Sequence, residues 1–193
     1  GGKRPEKAAD TTRNFAFWVR FGYSSSMNIL SPKRMSVDEF LAWAEQQPGR
    51  YELINGVVRQ MSPETVGHIK DKHAAANALT AAIKKAGIVA FALADGATVR
   101  ISSQTSFEPD ALVYMPPEVD RDQIEISNPI IVVENASRST RKYDSGFKLE
   151  NYMKLPSVQH VILVNGSEKT LTHYRRTGEN KHEGITHTDG ILR

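Results

Sequence analysis

Two carboxylates at points where hydrophobic runs emerge, with a lysine further on, form the chemistry-bearing constellation of this 193-residue chain. Asp110 is read as ending one short strand in Phe107-Glu108-Pro109-Asp110-Ala111-Leu112-Val113-Tyr114, and Glu134 closes Ile130-Ile131-Val132-Val133. Both strands read as buried, an arrangement that suits oxygen donors converging on one hard divalent cation. A charge directly after four β-branched residues is tolerated only when paired or metal-bound. The plain alternative for Glu134 is therefore an ion pair with a core Arg or Lys. Taken alone, Asp110 is equally a strand cap, because Pro-Asp is common in turns. Lys148 stands four residues after Asp144 and four before Tyr152, a stripe whose bland reading is a surface ion pair worth a few tenths of a kcal/mol. Glu52, in an alternating strand, reads as well as a solvent-facing cross-strand residue.

The histidines add little. His68 opens a long helix and is placed to assist a site near its N-terminus, whereas His73, five residues on, misses the i, i+4 spacing of paired ligands and is expected in the core or at its boundary. His173, His182 and His187 lie scattered in polar sequence and are assigned no role.

The elements that must position these groups follow from periodicity and turn chemistry. Ser36-Val37-Asp38-Glu39 is a capping box, with Val37, Phe40, Leu41 and Ala44 on one face of a short helix that runs to Gln46 before Pro48-Gly49. Tyr51–Ile54 and Val57–Met61 flank Asn55-Gly56, which supplies the two positive φ angles of a type I′ hairpin turn. Ile69, His73, Ala76, Leu79 and Ile83 recur at helical spacing from His68 to Lys85, and Gly87 offers a left-handed stop. Strands are expected at Val89–Leu93, Thr98–Ile101, Ala111–Met115 and Ile130–Glu134. A helix over Asp144–Leu155 and strands at Val161–Val164 and Leu171–Arg175 follow, the last two joined by Asn165-Gly166. The order predicts an α/β fold built on a mixed sheet. Residues 1–26 are read as an extension, vector-derived or from an upstream start, either a tail or a docked short helix, and 27–193 as the domain. The chain is expected to stop short of its natural C-terminus.

A formal charge of +3 and a pI near 9.1 tolerate a polyanion without marking a nucleic-acid coat. With no cysteine there is no disulfide, thiolate nucleophile or Cys-ligated zinc, which agrees with a cytoplasmic protein. No apolar run approaches the roughly 20 residues that span a bilayer, so no membrane partner is expected. Glycine-rich phosphate loops and Gly-x-Ser-x-Gly are absent, which counts against nucleotide binding and against a small-molecule hydrolase.

Several segments, taken in order, resemble the bacterial Uma2 family of restriction-endonuclease-like proteins. They are Tyr51-Glu52-Leu53-Ile54-Asn55-Gly56-Val57-Val58, Met61-Ser62-Pro63 with His68, Pro109-Asp110, Glu134-Asn135-Ala136-Ser137-Arg138-Ser139-Thr140, and Asp144 with Lys148 and Tyr152. The resemblance runs from about Met35 to Arg176. It implies the restriction endonuclease-like PD-(D/E)XK fold, a mixed β-sheet flanked by helices with an N-terminal helix and β-hairpin, holding Mg²⁺ or Mn²⁺ at the strand ends. On this resemblance Asp110, Glu134 and Glu52 are metal ligands, and with Lys148 they form the catalytic set, with Tyr152 and His68 as accessories. The lysine expected two positions after the acid is Ala136 here, and Lys148 takes its place from the following helix. Asn55, Asn135 and Arg138 depart from the family pattern, the last two beside a metal ligand. The implied partner is nucleic acid, foremost DNA, cut by a homodimer. The competing reading is a catalytically inactive module of the same fold that binds nucleic acid or a protein.

Overall fold

The computed structural model of the chain describes residues 34–135, 143–179 and 181–188, the side chains of 143–145 excepted, all within the unit Lys33–Arg193. The extension read at residues 1–26, Ala136 and Arg138 lie outside the described residues. Helix α1 (Val37–Ala44) opens on the expected capping box: the Ser36 hydroxyl accepts from the Glu39 backbone N–H, and the Glu39 carboxylate accepts from the Ser36 N–H at 2.8 Å. Strands β1 (Tyr51–Ile54) and β2 (Val57–Gln60) form the hairpin. Asn55 and Gly56 both take positive φ, 50° and 77°. Helix α2 (Val66–Ala86) is capped by the Thr65 side chain and stopped by Gly87 at φ 65°.

Seven strands and one helix follow: β3 (Phe91–Ala94), β4 (Val99–Ser102), β5 (Thr105–Phe107), β6 (Ala111–Tyr114), β7 (Pro129–Asn135), α3 (Tyr143–Tyr152), β8 (His160–Asn165) and β9 (Thr170–Gly178). A last strand, β10 (Lys181–His187), pairs antiparallel with β9. The fold is α/β as expected, but the strands make two sheets rather than one. One has the order β2-β1-β5-β4, and the other β10-β9-β8-β7-β6-β3. Only the larger is mixed, through the parallel pair β7 and β8 that α3 connects. The single sheet was expected because β5, three residues long, carries too few side chains to show a period. β10 escaped for another reason: as an edge strand it is almost wholly exposed and polar, so it lacks a buried face to betray it.

Each face of the larger sheet has its own cover. Ala111, Val133 and Ile162 pack under Ala75, Ala76 and Leu79 of α2. The alternate residues Leu112, Val132 and Val161 pack with Leu149, Tyr152 and Met153 from α3 and its end. α2 leaves His73 exposed, not in the core or at its boundary. The α2 face that meets the sheet combines two small alanines with Leu79, which lets the helix lie close. After α3 the chain is held by Arg176, whose guanidinium donates to the carbonyls of Met153, Leu155 and Val158. All three lie past the last residue of α3, and the Leu155 carbonyl also accepts the Val158 N–H at 3.1 Å.

The three residues 108–110 pass the chain from the smaller sheet to the larger. Asp110 does not end a strand: it sits just before β6, where its backbone N–H donates to Val133 at 3.1 Å. Because β6 runs antiparallel to β7, with Ala111 opposite Val133, the beginning of one strand lies beside the end of the other. That geometry places Asp110 next to the Glu134 end of β7.

Candidate active site

Glu134 has the parity of Val132 and so emerges on the α3 side of the sheet. There, one turn of α3 separates Lys148 from Tyr152, and both reach it. The ammonium of Lys148 donates to the two Glu134 oxygens at 3.1 and 3.2 Å and to Glu52 Oε1 at 2.8 Å. Tyr152 donates its hydroxyl to Glu134 Oε1 at 2.6 Å. Glu52 also accepts the backbone N–H of Glu108 at 3.1 Å, which fixes the hairpin strand against the 108–110 crossing. Lys148 is therefore no surface lysine, nor Glu52 a solvent-facing residue: their side chains are 16% and 11% exposed.

Asp110, buried, is held from the other side. Its Oδ2 accepts the Asn135 backbone N–H at 2.6 Å. Its Oδ1 meets the Lys72 ammonium at 2.9 Å, with His68 Nε2 at 3.7 Å. Lys72 bonds Glu64 as well and lies 3.0 Å from Asp95. Arg50 extends this group, clasping Asp95 with both arms of its guanidinium and reaching Glu108 at 2.8 Å and Glu64 at 3.2 Å. One ligand atom each from Glu64, His68 and Asp110 falls within 4.8 Å of the others, a grouping able to hold a metal ion. Glu134 and Glu52 stand apart from that grouping, joined through Lys148.

Arg50, Glu64, Lys72, Asp95 and Glu108 were not foreseen from sequence. Lys72 left one usable signal, since it lies four residues after His68 and so shares its helical face. Arg50 and Asp95 lie at the margins of strands, where isolated charges are ordinary.

Six carboxylates, Glu52, Glu64, Asp95, Glu108, Asp110 and Glu134, thus meet three fixed cations, Arg50, Lys72 and Lys148. The titration behaviour shows the imbalance. Burial, with Asp110 and Glu52 nearby, pushes the Glu134 carboxyl up to about 7 against the pull of Lys148 and Tyr152. Burial likewise raises Glu108, which Arg50 only partly offsets. For Asp95, burial is outweighed by Arg50 and Lys72, and its pKa falls. Burial works against the charge on Lys148, yet Glu134 and Glu52 outweigh it and raise its pKa, so the ammonium keeps its proton at neutral pH. Tyr152, raised by burial and the same carboxylates, stays a donor. Neither end of the Asn135 side-chain amide has a partner among the described residues, although the amide is buried.

In the cyanobacterium Synechocystis sp. the chain is 23% identical to the uncharacterized protein sll1609, over 80% of this chain and 88% of that one. It is 25% identical to slr1290, also uncharacterized, over 76% of each. Among solved structures it is similar to one described as "a putative nuclease belonging to DUF820" from Anabaena variabilis. That match has a TM-score of 0.64 and 18% identity, covering 82% of this chain and 88% of the other, and it bears on the fold alone. The fold is that of the restriction endonuclease-like proteins. The family model named Uma2, "Putative restriction endonuclease", matches residues 37–190, and with that span the chain belongs to the Uma2 family.

Proposed function

We propose that the protein is a metal-dependent endonuclease that hydrolyses phosphodiester bonds in DNA, with Asp110, Glu134 and Glu52 holding Mg²⁺ or Mn²⁺ and Lys148 completing the catalytic set. The observation that carries this reading is a buried lysine bridging two carboxylates in a pocket whose acids outnumber its cations, with one of them, Glu134, pushed up to about 7. Oxygen donors with excess negative charge fit a hard dication. Such an ion supplies Lewis-acid stabilisation of the phosphoryl oxygens and a nucleophilic water.

The chain's own groups do the rest. Lys148 keeps its proton, so it acts not as the base but as a cation facing the charge that develops on the phosphoryl group. Tyr152 fixes the rotamer of Glu134 by its hydrogen bond, and the Asn135 N–H fixes Asp110 in the same way. His68, next to Asp110, assists in orienting it.

The test is nicking of supercoiled plasmid with manganese. Asp110→Ala and Glu134→Ala are each expected to abolish cleavage while the protein stays folded by circular dichroism. Cleavage retained in the double variant would refute the assignment. Salt-sensitive binding with no cleavage by the unaltered protein favours instead the inactive module. Cutting both strands of a duplex calls for two sites, so the active unit under this reading is a homodimer acting in the cytoplasm. Sedimentation velocity checks the assembly, and a monomer that linearises plasmid in one step removes that part of the reading.

A further inference from the structure

Lys72 has no part in the chemistry described so far, yet it is the least exposed cation of the pocket, at 3%. Its ammonium touches Glu64 Oε1 and Asp110 Oδ1 and lies 3.0 Å from Asp95 Oδ2. The first two are the same oxygens that approach His68 Nε2, at 4.0 and 3.7 Å. Glu64, His68 and Asp110 bring one ligand atom each within 4.8 Å of one another, a grouping separate from the Glu134 and Glu52 side of the pocket and able to hold a metal of its own. A dication bound there would share both of these oxygens with Lys72 and would sit directly against its positive charge.

Taking the nuclease reading above as its ground, we propose that Lys72 is a built-in substitute for a second metal ion. Its ammonium fills the cation position made by Glu64, His68 and Asp110, and so limits the centre to a single exchangeable ion. Three consequences follow from the geometry. Asp110 is held by a covalently tethered cation through Oδ1, so its position does not depend on whether metal is bound. The imidazole of His68, a ligand that favours transition metals over magnesium, is kept from service by the ammonium on both of its oxygen neighbours. Removing the ammonium while keeping the aliphatic stem would open a mixed nitrogen and oxygen site for an ion such as Mn²⁺.

Counting bound Mn²⁺ by electron paramagnetic resonance on the chelator-treated full chain, without substrate, tests this. The unaltered protein is expected to bind one ion, Lys72→Met two, and Lys72→Arg one. Adding His68→Ala to Lys72→Met should return the count to one and so locate the second ion. If Lys72→Met does not fold, Lys72→Gln, which keeps a donor amide but no charge, takes its place with the same expected gain. A merely structural role for Lys72 would lower the thermal midpoint and leave the count unchanged, and that result overturns the proposal. Two ions in the unaltered protein, or loss of the single ion in the folded variant, also overturn it, while the nuclease reading stands. No ion in the unaltered protein but one in Lys72→Met supports the substitution and overturns the metal-dependent reading. No ion in either overturns both readings.

Discussion

At the scale of single residues the pocket works by imbalance. A carboxyl raised to about 7 binds a proton in the folded chain that the unfolded chain releases near pH 4.5. Between those values the folded state holds more protons, so the contribution of Glu134 to stability is full below about 4.5 and declines as pH rises to about 7. With metal removed, the thermal midpoint of Glu134→Gln should therefore gain on that of the unaltered protein as pH goes from 5 to 8. A difference that stays flat over that range would show that Glu134 is ionised throughout. Lys148 works in the same sense in a higher window: its raised pKa contributes stability that persists through neutrality and is lost only at strongly alkaline pH. Lys148→Met leaves Glu52 and Glu134 facing one another uncompensated, with an expected cost of about 3–5 kcal/mol without metal. A fall in kcat of about a hundredfold or more is expected with it. Urea unfolding and single-turnover cleavage measure the two separately. In the sequence, Asp110 and Glu134 stood out because each adjoins a hydrophobic run. Lys72 did not, since a lysine on a polar-looking helix is ordinarily solvated, and only the fold reveals the carboxylates around it.

At the scale of elements, the hairpin and the helix stop were legible because backbone conformation leaves a residue-type mark. Asn55-Gly56 and Gly87 are such marks, and so is the Ser36 capping box. These two glycines are not equally demanding. A Cβ at Gly87 would meet nothing within 4 Å, so Gly87→Ala should cost only the left-handed backbone, about 1 kcal/mol. A Cβ at Gly56 would lie 2.5 Å from Arg34 Cβ, so Gly56→Ala must also displace the segment leading into α1 and should cost about 2 kcal/mol or more. Denaturant midpoints rank the pair, and equal losses would mean that Arg34 yields freely. What the sequence could not disclose was the transfer between sheets. β5 is too short to carry a period, and without it Asp110 was placed at the wrong end of its strand. Its nearness to Glu134 comes from the pairing of β6 with β7, an antiparallel neighbour that brings a strand start and a strand end together.

For the whole molecule, the acidic pocket contrasts with a chain whose formal charge is +3. That positive excess lies in residues 1–33, and the remainder is close to neutral, so a polyanion is opposed at the centre unless a dication is present. DNA binding in calcium, which fills an oxygen site without supporting fast turnover, should be at least tenfold tighter than in chelator at the same ionic strength, as read by fluorescence anisotropy. Equal affinity in the two conditions would mean that DNA does not enter the pocket. The groups that converge there come from β1, α2, the 108–110 crossing, β7 and α3, so the centre exists only when both sheets are in place. Arg176, far along β9, belongs to that assembly too, since its guanidinium secures the carbonyls just past the helix that carries Lys148 and Tyr152. A fragment trimmed before Arg176 would keep every acid and the lysine yet lose the clasp on their helix. The shortest segment that keeps the pocket whole must therefore run through the second half of β9, even though none of the pocket's side chains lies there.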